Sequence, residues 1–203
     1  YKYPIIVFEG IEGSGKSFHI KKVEQHLKNN KIKHIKLREP GGSKNSEKIR
    51  NIILNKKSNF NSLTDLLLYM AARNENFQSI IKKNYKKKII LIDRFIDSTI
   101  AYQHYGMGLD KSLIIKLNRI ILKNIKPDFT FLNIVSMKNL KLRVSKRQKN
   151  RYDNFNSHFY NKVQKGYLKI SKNKKKYMIV NSNKNINFNI NIIKNKINNL
   201  LSI

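Results

Sequence analysis

The stretch Gly-Ile-Glu-Gly-Ser-Gly-Lys-Ser, at residues 10–17, follows a short apolar run at residues 5–8 and precedes a segment with helical periodicity. Glycine tolerates positive backbone φ angles, so glycines at these spacings can turn successive N–H groups toward one concave site. The helix after the loop adds the positive end of its dipole at the same point. A buried strand, this loop and a helix, in that order, predict a phosphate-binding loop at the start of an α/β fold.

Two side chains of the loop have chemistry that suits a nucleoside triphosphate. Lys16 is placed to reach the β- and γ-phosphates, and the Ser17 hydroxyl is placed to ligate Mg²⁺. The whole loop is predicted to bind the nucleotide, through Gly10, Ile11, Glu12, Gly13, Ser14, Gly15, Lys16 and Ser17. The alternative, a glycine-rich turn without a ligand, is disfavoured because both flanking elements are present.

The composition bounds the class of protein. A chain of 203 residues suits one domain, and we expect a single domain over residues 1–203. The absence of cysteine excludes disulfides, thiolate metal sites and cysteine nucleophiles. No apolar run approaches the roughly 18 to 20 residues of a membrane span, and no secretory signal pattern precedes the first strand. We therefore expect a soluble, cytoplasmic protein.

The net charge is the most unusual property of the sequence. Lysine and arginine number 43 against 12 aspartates and glutamates, which gives a formal charge of +31. Taken alone, this charge suggests a nucleic-acid or acidic-membrane partner. The lysines are spread over the whole chain together with many asparagines and isoleucines, and no nucleic-acid-binding motif accompanies them. We expect no nucleic-acid and no membrane partner, although a positive field attracts polyanionic nucleotides.

Short apolar runs alternate with longer amphipathic segments. The runs lie at residues 5–8, 34–37, 89–92, 129–134 and 177–180. The intervening segments repeat apolar residues at helical spacing, namely Ile20, Val23 and Leu27; Ile49, Ile52 and Ile53; Leu63, Leu66, Leu67 and Met70; Leu113, Leu117, Ile120 and Ile121; and Ile186, Ile190, Ile193, Ile197 and Leu200. This alternation predicts a three-layer α/β/α fold with a five-stranded parallel sheet.

Residues 138–153 differ from both kinds of segment. They are rich in Arg, Lys and Gln, offer little to bury, and include Arg143, Arg147 and Arg151. We expect a mobile basic flap here, within the same domain.

Polar residues follow three of the predicted strands. The loop at residues 10–17 follows the first, Arg38 the second, and Asp93 and Arg94 the third. Because ligands of open α/β sheets bind beyond the carboxyl ends of the strands, we expect these groups to converge on one crevice. Asp93 would hold Mg²⁺ directly or through water, unless it caps a helix or pairs with Arg94. Arg38 and Arg94 would clamp a second phosphate group.

Several motifs in one order make a resemblance to a known family specific. They are residues 8–13 (FEGIEG), 38–43 (REPGGS), 68–73 (LYMAAR), 93–103 (DRFIDSTIAYQ), 127–130 (PDFT) and 166–168 (GYL). Over essentially the whole chain, the sequence resembles the thymidylate kinases, P-loop enzymes that phosphorylate dTMP with ATP. The resemblance implies a nucleoside monophosphate kinase fold, ATP and Mg²⁺ as cofactors, dTMP as substrate, and a homodimer.

The resemblance assigns roles in the phosphate chemistry. It implies that Arg38 and Arg94 hold the monophosphate and that Glu12 faces its sugar and the metal. In relatives with Gly at the position of Gly13, the transition-state arginine comes from the flap. We take Arg147 for that role, with the other two flap arginines as alternatives. The expected catalytic set is Lys16, Arg94, Glu12 and Arg147, with Ser17 and Asp93 on the metal.

The resemblance also assigns roles around the base and sugar. Tyr69 would stack on thymine, and Arg73 and Gln103 would contact its polar edge. Tyr102 would crowd the sugar 2′ position and so favour deoxyribose. The i, i+4 spacing of Tyr69 with Arg73 lets both face one ligand, and the pairs Ser98–Tyr102 and Thr99–Gln103 share this spacing. The expected substrate-binding set is Arg38, Pro40, Tyr69, Arg73, Arg94, Ser98, Thr99, Tyr102 and Gln103.

Two of these side chains have simpler alternatives. Tyr69 could be an ordinary core residue, because aromatic residues on helix stripes usually are. Arg73 could instead form an ion pair with Glu75 or Asp65, close to it in the sequence.

Three positions depart from the family pattern. Phe18 stands where a hydroxyl residue is common, Asn133 stands where an acidic residue is usual, and residues 150–153 vary an acidic-Arg-x-Glu pattern.

The expected function is ATP- and Mg²⁺-dependent phosphorylation of dTMP to dTDP, a step toward dTTP. Another P-loop nucleotide or nucleoside kinase, or a basic nucleic-acid-binding NTPase, stays open as an alternative.

Overall fold

A computed structural model describes residues 2–145, 150–173 and 175–202 of the chain. Over these residues the sheet has five parallel strands, β1 (Ile5–Glu9), β2 (His34–Arg38), β3 (Ile89–Asp93), β4 (Phe129–Ile134) and β5 (Tyr177–Asn181), in the order β2-β3-β1-β4-β5. The predicted five-stranded parallel sheet is confirmed. Four strands extend one residue beyond the predicted runs, because Glu9, Arg38, Asp93 and Asn181 remain paired with a neighbouring strand.

Helices cover the sheet on both faces. They are α1 (Lys16–Asn29), α2 (Lys44–Leu54), α3 (Ser62–Asn76), α4 (Lys82–Asn84), α5 (Ile96–Thr99), α6 (Lys111–Leu122), α7 (Met137–Val144), α8 (Ser157–Ile170) and α9 (Ile186–Leu201). Within the described part of the chain, none of them combines the length and the apolarity that crossing a membrane requires.

The central strand β1 shows how the three layers form. Side chains of a strand alternate between the two faces of the sheet. Ile6 and Phe8 pack in one buried cluster with residues of α1 and α9. Ile5 and Val7 pack in another with Phe77 and with Leu122 of α6. The predicted three-layer α/β/α arrangement is therefore confirmed.

Two helical segments contain π-helical turns that the apolar pattern did not predict. One, Phe77–Ile81, joins α3 to α4, and the other, Ile100–Gly106, continues α5. The helical segment that starts with α5 therefore has a wider turn in its second half. Such turns occur often at functional sites, and this one carries Tyr102 and Gln103.

The predicted helix faces are only partly correct. Five residues of the apolar stripes are largely exposed, namely Ile52, Leu63, Leu67, Ile120 and Ile186. Inward positions of α3, α6 and α9 are taken instead by Asp65, Asn118 and Asn189, each buried and each in a hydrogen bond. A pattern of apolar residues alone misplaces a face when polar residues occupy part of it.

The described part of residues 138–153 buries two side chains and leaves the others exposed or half-buried. Leu140 of α7 is buried, and a 3₁₀ turn at Arg151–Asn154 buries Tyr152. Apolar and aromatic side chains spaced among the basic residues supply this burial. Residues 146–149 lie outside the described residues.

Candidate active site

The predicted phosphate loop turns back at the carboxyl end of β1. Gly10 has a φ of 135°, and a Cβ added there would lie 2.1 Å from the carbonyl oxygen of Asn133. Any side chain would therefore displace the loop. Gly15, with a φ of 85°, precedes α1, and among the described residues no side chain caps this helix. The first N–H groups of α1 thus remain suited to an anion.

Lys16 folds across this loop. Its Nζ donates to the carbonyl oxygens of Gly10 and Ile11, each at 2.8 Å, and lies 3.4 Å from Ser14 Oγ. Burial, together with the nearby Arg94 guanidinium, lowers the pKa of Lys16 to about 8. The ammonium group is therefore held by backbone carbonyl groups of the loop itself.

Ser17 and Asp93 meet at the start of α1 and the end of β3. Ser17 Oγ donates to Asp93 Oδ2 at 2.9 Å. A hydroxyl and a carboxylate oxygen suit Mg²⁺, which is often bound by one or two carboxylates together with substrate phosphates. Over the described residues, no group of three or more His, Asp or Glu side chains could hold a metal alone. The pair fits a Mg²⁺ ion completed by phosphate oxygens and water.

Arg94 and Glu12 form the charged centre of the site. Arg94 Nη2 donates to Glu12 Oε1 at 2.6 Å, and the Tyr102 hydroxyl donates to Glu12 Oε2. Burial opposes ionisation of Glu12, but Arg94 and then Lys16 outweigh it and hold the pKa of this carboxyl below its usual value. The pair is therefore charged, with both side chains more than four-fifths buried.

Glu9, which the sequence analysis did not single out, organises the groups around Arg94. Its Oε1 accepts hydrogen bonds from the backbone N–H groups of Phe95 at 2.8 Å and Ser98 at 3.2 Å. Its Oε2 accepts from Ser98 Oγ at 2.6 Å and from the Tyr167 hydroxyl at 3.2 Å. Tyr167 in turn accepts a hydrogen bond from Arg94. The sequence signal that could have identified Glu9 is an acidic residue at the end of a buried apolar strand.

A cavity with about 550 Å³ of empty space, part of it open to solvent, lies beside the Arg94–Glu12 pair. Its lining includes every residue of the expected substrate-binding set except Arg38, that is Pro40, Tyr69, Arg73, Arg94, Ser98, Thr99, Tyr102 and Gln103. The lining also includes residues that the sequence analysis missed, among them Glu39, Arg50, Leu54, Asn150 and Tyr152. The structure thus brings residues from the phosphate loop, α2, α3 and the α5 segment to one place.

Arg73 is fixed by several partners while it lines the cavity. Its Nε donates to Glu39 Oε2 at 2.7 Å, and its Nη1 donates to Asn118 Oδ1 at 2.7 Å. Arg73 and Glu39 are both nearly fully buried. Its ion-pair partner is therefore Glu39, from the end of the second strand, and not Glu75 or Asp65. A guanidinium held in this way is pre-oriented for a ligand.

Arg38 does not reach the cavity. It pairs with Glu47 at 2.9 Å, and 54% of its side chain is exposed. Leu37 packs in the cluster on one face of the sheet, so Arg38, the next residue of the strand, points to the other face. Arg50 of α2 lines the cavity instead, and its Nη1 donates to the Pro40 carbonyl oxygen at 2.7 Å.

A second cavity, with about 990 Å³ of empty space that is partly open to solvent, is lined by other residues of the loop. Its lining comprises Gly13, Gly15, Lys16, Ser17, Phe18, His19, Arg143, Ser182, Lys184, Ile186 and Asn189. Ser182 Oγ donates to the Ser14 carbonyl oxygen at 2.6 Å, which ties the segment after β5 to the loop. The sequence analysis did not single out this segment.

The side-chain amide of Asn133 donates a hydrogen bond, whereas the ionised carboxylate of the acidic residue usual at this position could only accept one. Its Nδ2 lies 2.6 Å from His19 Nδ1. Burial, together with Arg143, lowers the pKa of His19 to about 4, so the neutral imidazole can accept this hydrogen bond. His19 therefore provides an acceptor for the amide that Asn133 has in place of the family's usual carboxylate.

The flap arginines lie in different places. Arg143 Nη1 donates to the Gly13 carbonyl oxygen at 2.9 Å, so this side chain contacts the loop. Arg151 pairs with Asp65, away from the loop. Arg147, which we took for the transition-state role, lies outside the described residues.

Comparison with known proteins gives consistent results. A family model described as thymidylate kinase matches residues 8–193. The thymidylate kinase of Mycoplasma capricolum is 40% identical over 187 residues, which cover 89% of this chain and 88% of that protein. The thymidylate kinase of Thermosipho melanesiensis is 36% identical over 197 residues, which cover 97% and 98%. The crystal structure of thymidylate kinase from Ehrlichia chaffeensis superposes with a TM-score of 0.78 and 34% identity, covering 97% of this chain and 99% of that one.

Proposed function

The chain belongs to the thymidylate kinase family and phosphorylates dTMP to dTDP, and we propose that ATP is the phosphate donor and that Mg²⁺ assists the transfer. One observation carries this proposal. The phosphate loop and the 550 Å³ cavity meet at the Arg94–Glu12 pair, so a donor on one side and an acceptor on the other would face each other there. Phosphoryl transfer depends mainly on such alignment and on charge neutralisation.

The donor would lie in the second cavity, with its phosphates on the loop from Gly10 to Ser17. Lys16 and the loop N–H groups would neutralise charge on the transferred group. Ser17 and Asp93 would hold Mg²⁺, which supplies charge neutralisation and in-line placement of the phosphates. Arg143 is supported as a donor contact because it already lines this cavity. Arg147 remains our prediction for the transition-state arginine.

The acceptor would lie in the 550 Å³ cavity. Arg94 and Arg50 would hold its phosphate, and Glu12 would face its sugar. Tyr102, anchored on Glu12, would close off the 2′ position and favour deoxyribose. The base would lie against Tyr69, with Arg73 and Gln103 at its polar edge. Support for these roles is the common lining of one cavity by all of these side chains.

The organisation of the whole protein is also a proposal. We expect a single domain over residues 1–203 with a basic flap at about 138–153, a homodimer, and a cytoplasmic location. The exposed apolar side chains Ile52, Leu63, Leu67 and Ile120 lie on α2, α3 and α6, and α3 packs against both other helices. Such a surface supports an interface between two copies.

Coupled measurement of ATP turnover tests the function. The purified protein is given ATP and Mg²⁺ with dTMP, dUMP, dGMP or dCMP in turn, and we expect turnover stimulated most by dTMP. Omission of Mg²⁺ should abolish it. The variant Lys16→Met, which keeps the length of the side chain and removes the charge, is the control for contaminating kinases. Turnover that dTMP does not stimulate would refute the proposal.

A further inference from the structure

The amide of Gln103 has a defined orientation in the wall of the acceptor cavity. Gln103 lines this cavity, and its Nε2 donates to Asp65 Oδ2 at 3.1 Å. Asp65 lies behind the wall, where it lines a neighbouring cavity. The nitrogen end of the amide therefore points into the protein, and the oxygen end, Oε1, is left to face the acceptor.

Asp65 is itself held firmly in the role of acceptor. It is almost completely buried, although it lies on a helix. Arg151 pairs with its Oδ1, and the Tyr152 hydroxyl donates to its Oδ2 at 2.5 Å. An ionised carboxylate has lone pairs and no hydrogen to donate. A reversed Gln103 amide would place its oxygen against this carboxylate, which is unfavourable in a buried site.

We infer that Asp65 is a specificity-determining residue, which holds the Gln103 amide with its oxygen toward the base and thereby selects pyrimidines that carry a hydrogen on N3. Thymine and uracil have this N3–H donor, whereas cytosine has a lone pair at N3 and an amino group at C4. An amide oxygen that faces the base accepts a hydrogen bond from the N3–H group of thymine or uracil and repels the N3 lone pair of cytosine. This inference rests on the proposed function, which places the base beside Gln103.

Arg73 adds to the same selection without depending on Asp65. Its guanidinium is held by Glu39 and carries only donors, which suit the O4 atom of thymine. Loss of the Asp65 carboxylate should therefore weaken the selection for thymine and leave part of it. We expect a loss of about tenfold, the value of one hydrogen bond in a buried polar site.

The test compares dTMP with 5-methyl-dCMP, which keeps the methyl group of thymine and changes only the polar edge. For each variant, the ratio of kcat/KM for the two nucleotides is measured, and folding is checked by thermal unfolding. In Asp65→Asn, the new amide can present either end to Gln103. We expect the ratio to fall about tenfold, through increased turnover of 5-methyl-dCMP.

Two further variants separate this role from a merely structural one. Asp65→Glu keeps the carboxylate and should keep the ratio. If Asp65→Asn does not fold, the double variant Asp65→Asn/Arg151→Met removes the buried charge together with its counter-charge. It should lower the ratio to the same degree.

The inference is overturned if Asp65→Asn or the double variant folds and keeps the ratio unchanged. Turnover of 5-methyl-dCMP that is undetectable in both variants also overturns it. An equal fall in Asp65→Glu also overturns it, because general loosening of the wall would then be the cause. Failure of the unmodified protein to phosphorylate dTMP would instead refute the proposed function.

Discussion

Arg94 Nη2 lies 2.6 Å from Glu12 Oε1, and this ion pair joins the end of β3 to the phosphate loop. Both residues also contact Tyr102, whose ring lies 5.2 Å from the Arg94 guanidinium. Arg94 holds this position with a φ of 66°, in the left-handed region that side chains other than glycine seldom adopt. The backbone and the ion pair together hold the guanidinium in the lining of the 550 Å³ cavity, beside the phosphate loop.

Replacement of Arg94 by lysine should therefore impair catalysis. A lysine retains the charge but cannot bridge two groups with a planar fork. We expect kcat to fall by about 10² to 10³, the cost of losing one pre-oriented donor at the reacting group. Steady-state kinetics with dTMP measures this, and Arg119→Lys on the exposed side of α6 is the matched control. A fall in both variants, or in neither, would contradict the role assigned to Arg94.

Arg50 and Arg38 should differ in their effect on dTMP binding. Arg50 lines the cavity proposed for the acceptor, whereas Arg38 is exposed and paired with Glu47. We expect Arg50→Met to raise KM for dTMP by about tenfold or more, because a hydrogen bond to a charged group is lost. Arg38→Met should change KM less than about twofold, as exposed ion pairs contribute little. A larger increase in KM for Arg38→Met than for Arg50→Met would instead assign the phosphate contact to Arg38.

The pH dependence of kcat/KM for ATP should report the ionisation of Lys16. Burial and Arg94 lower its pKa from 10.5 to about 8, so the free enzyme loses the charged form as pH rises through about 8. The neutral amine cannot attract phosphate, so we expect kcat/KM to fall about tenfold per unit at higher pH. Lys16→Arg stays charged over this range and should lack the alkaline decline, even at a lower rate. A decline that persists in this variant would assign it to another group.

Asp97 should make the protein less stable at neutral pH than at acidic pH. Burial, and next the negative charge of Glu9, raise the pKa of Asp97 to about 7. Between about pH 4 and 7 the folded state holds a proton that the unfolded state has lost, so the free energy of unfolding decreases as pH rises.

The variant Asp97→Asn removes this dependence and can still accept the hydrogen bond that the Tyr177 hydroxyl donates to Asp97. We expect little difference from the parent at pH 4 and a gain of about 2 to 4 kcal/mol at pH 8. Urea unfolding at the two values measures it. An equal difference at both would show that Asp97 does not titrate as assigned.

Much of the fold could be predicted because the relevant signals are local. The five strands are short apolar runs, and the loop at residues 10–17 has a spacing that few backbones other than a phosphate loop require. Helix faces were less predictable, since Asp65, Asn118 and Asn189 face inward at positions where a pattern of apolar residues expects none. The π-helical turn at Ile100–Gly106 also has no signal in apolar spacing.

The sequence by itself determined the α/β class, the phosphate loop with Lys16 and Ser17, and the set of polar residues at the strand ends. These depend on backbone freedom, hydrophobic period and residue chemistry over a few neighbouring positions. Only the tertiary structure decided that Arg73 pairs with Glu39, 34 residues away, and that Arg50, not Arg38, lines the cavity beside the Arg94–Glu12 pair. Such contacts depend on the face of a strand or helix from which a side chain projects, and on how elements distant in the sequence pack together. The same packing joins Glu9 to the backbone of Phe95 and Asp65 to Gln103, which no spacing in the sequence would have predicted.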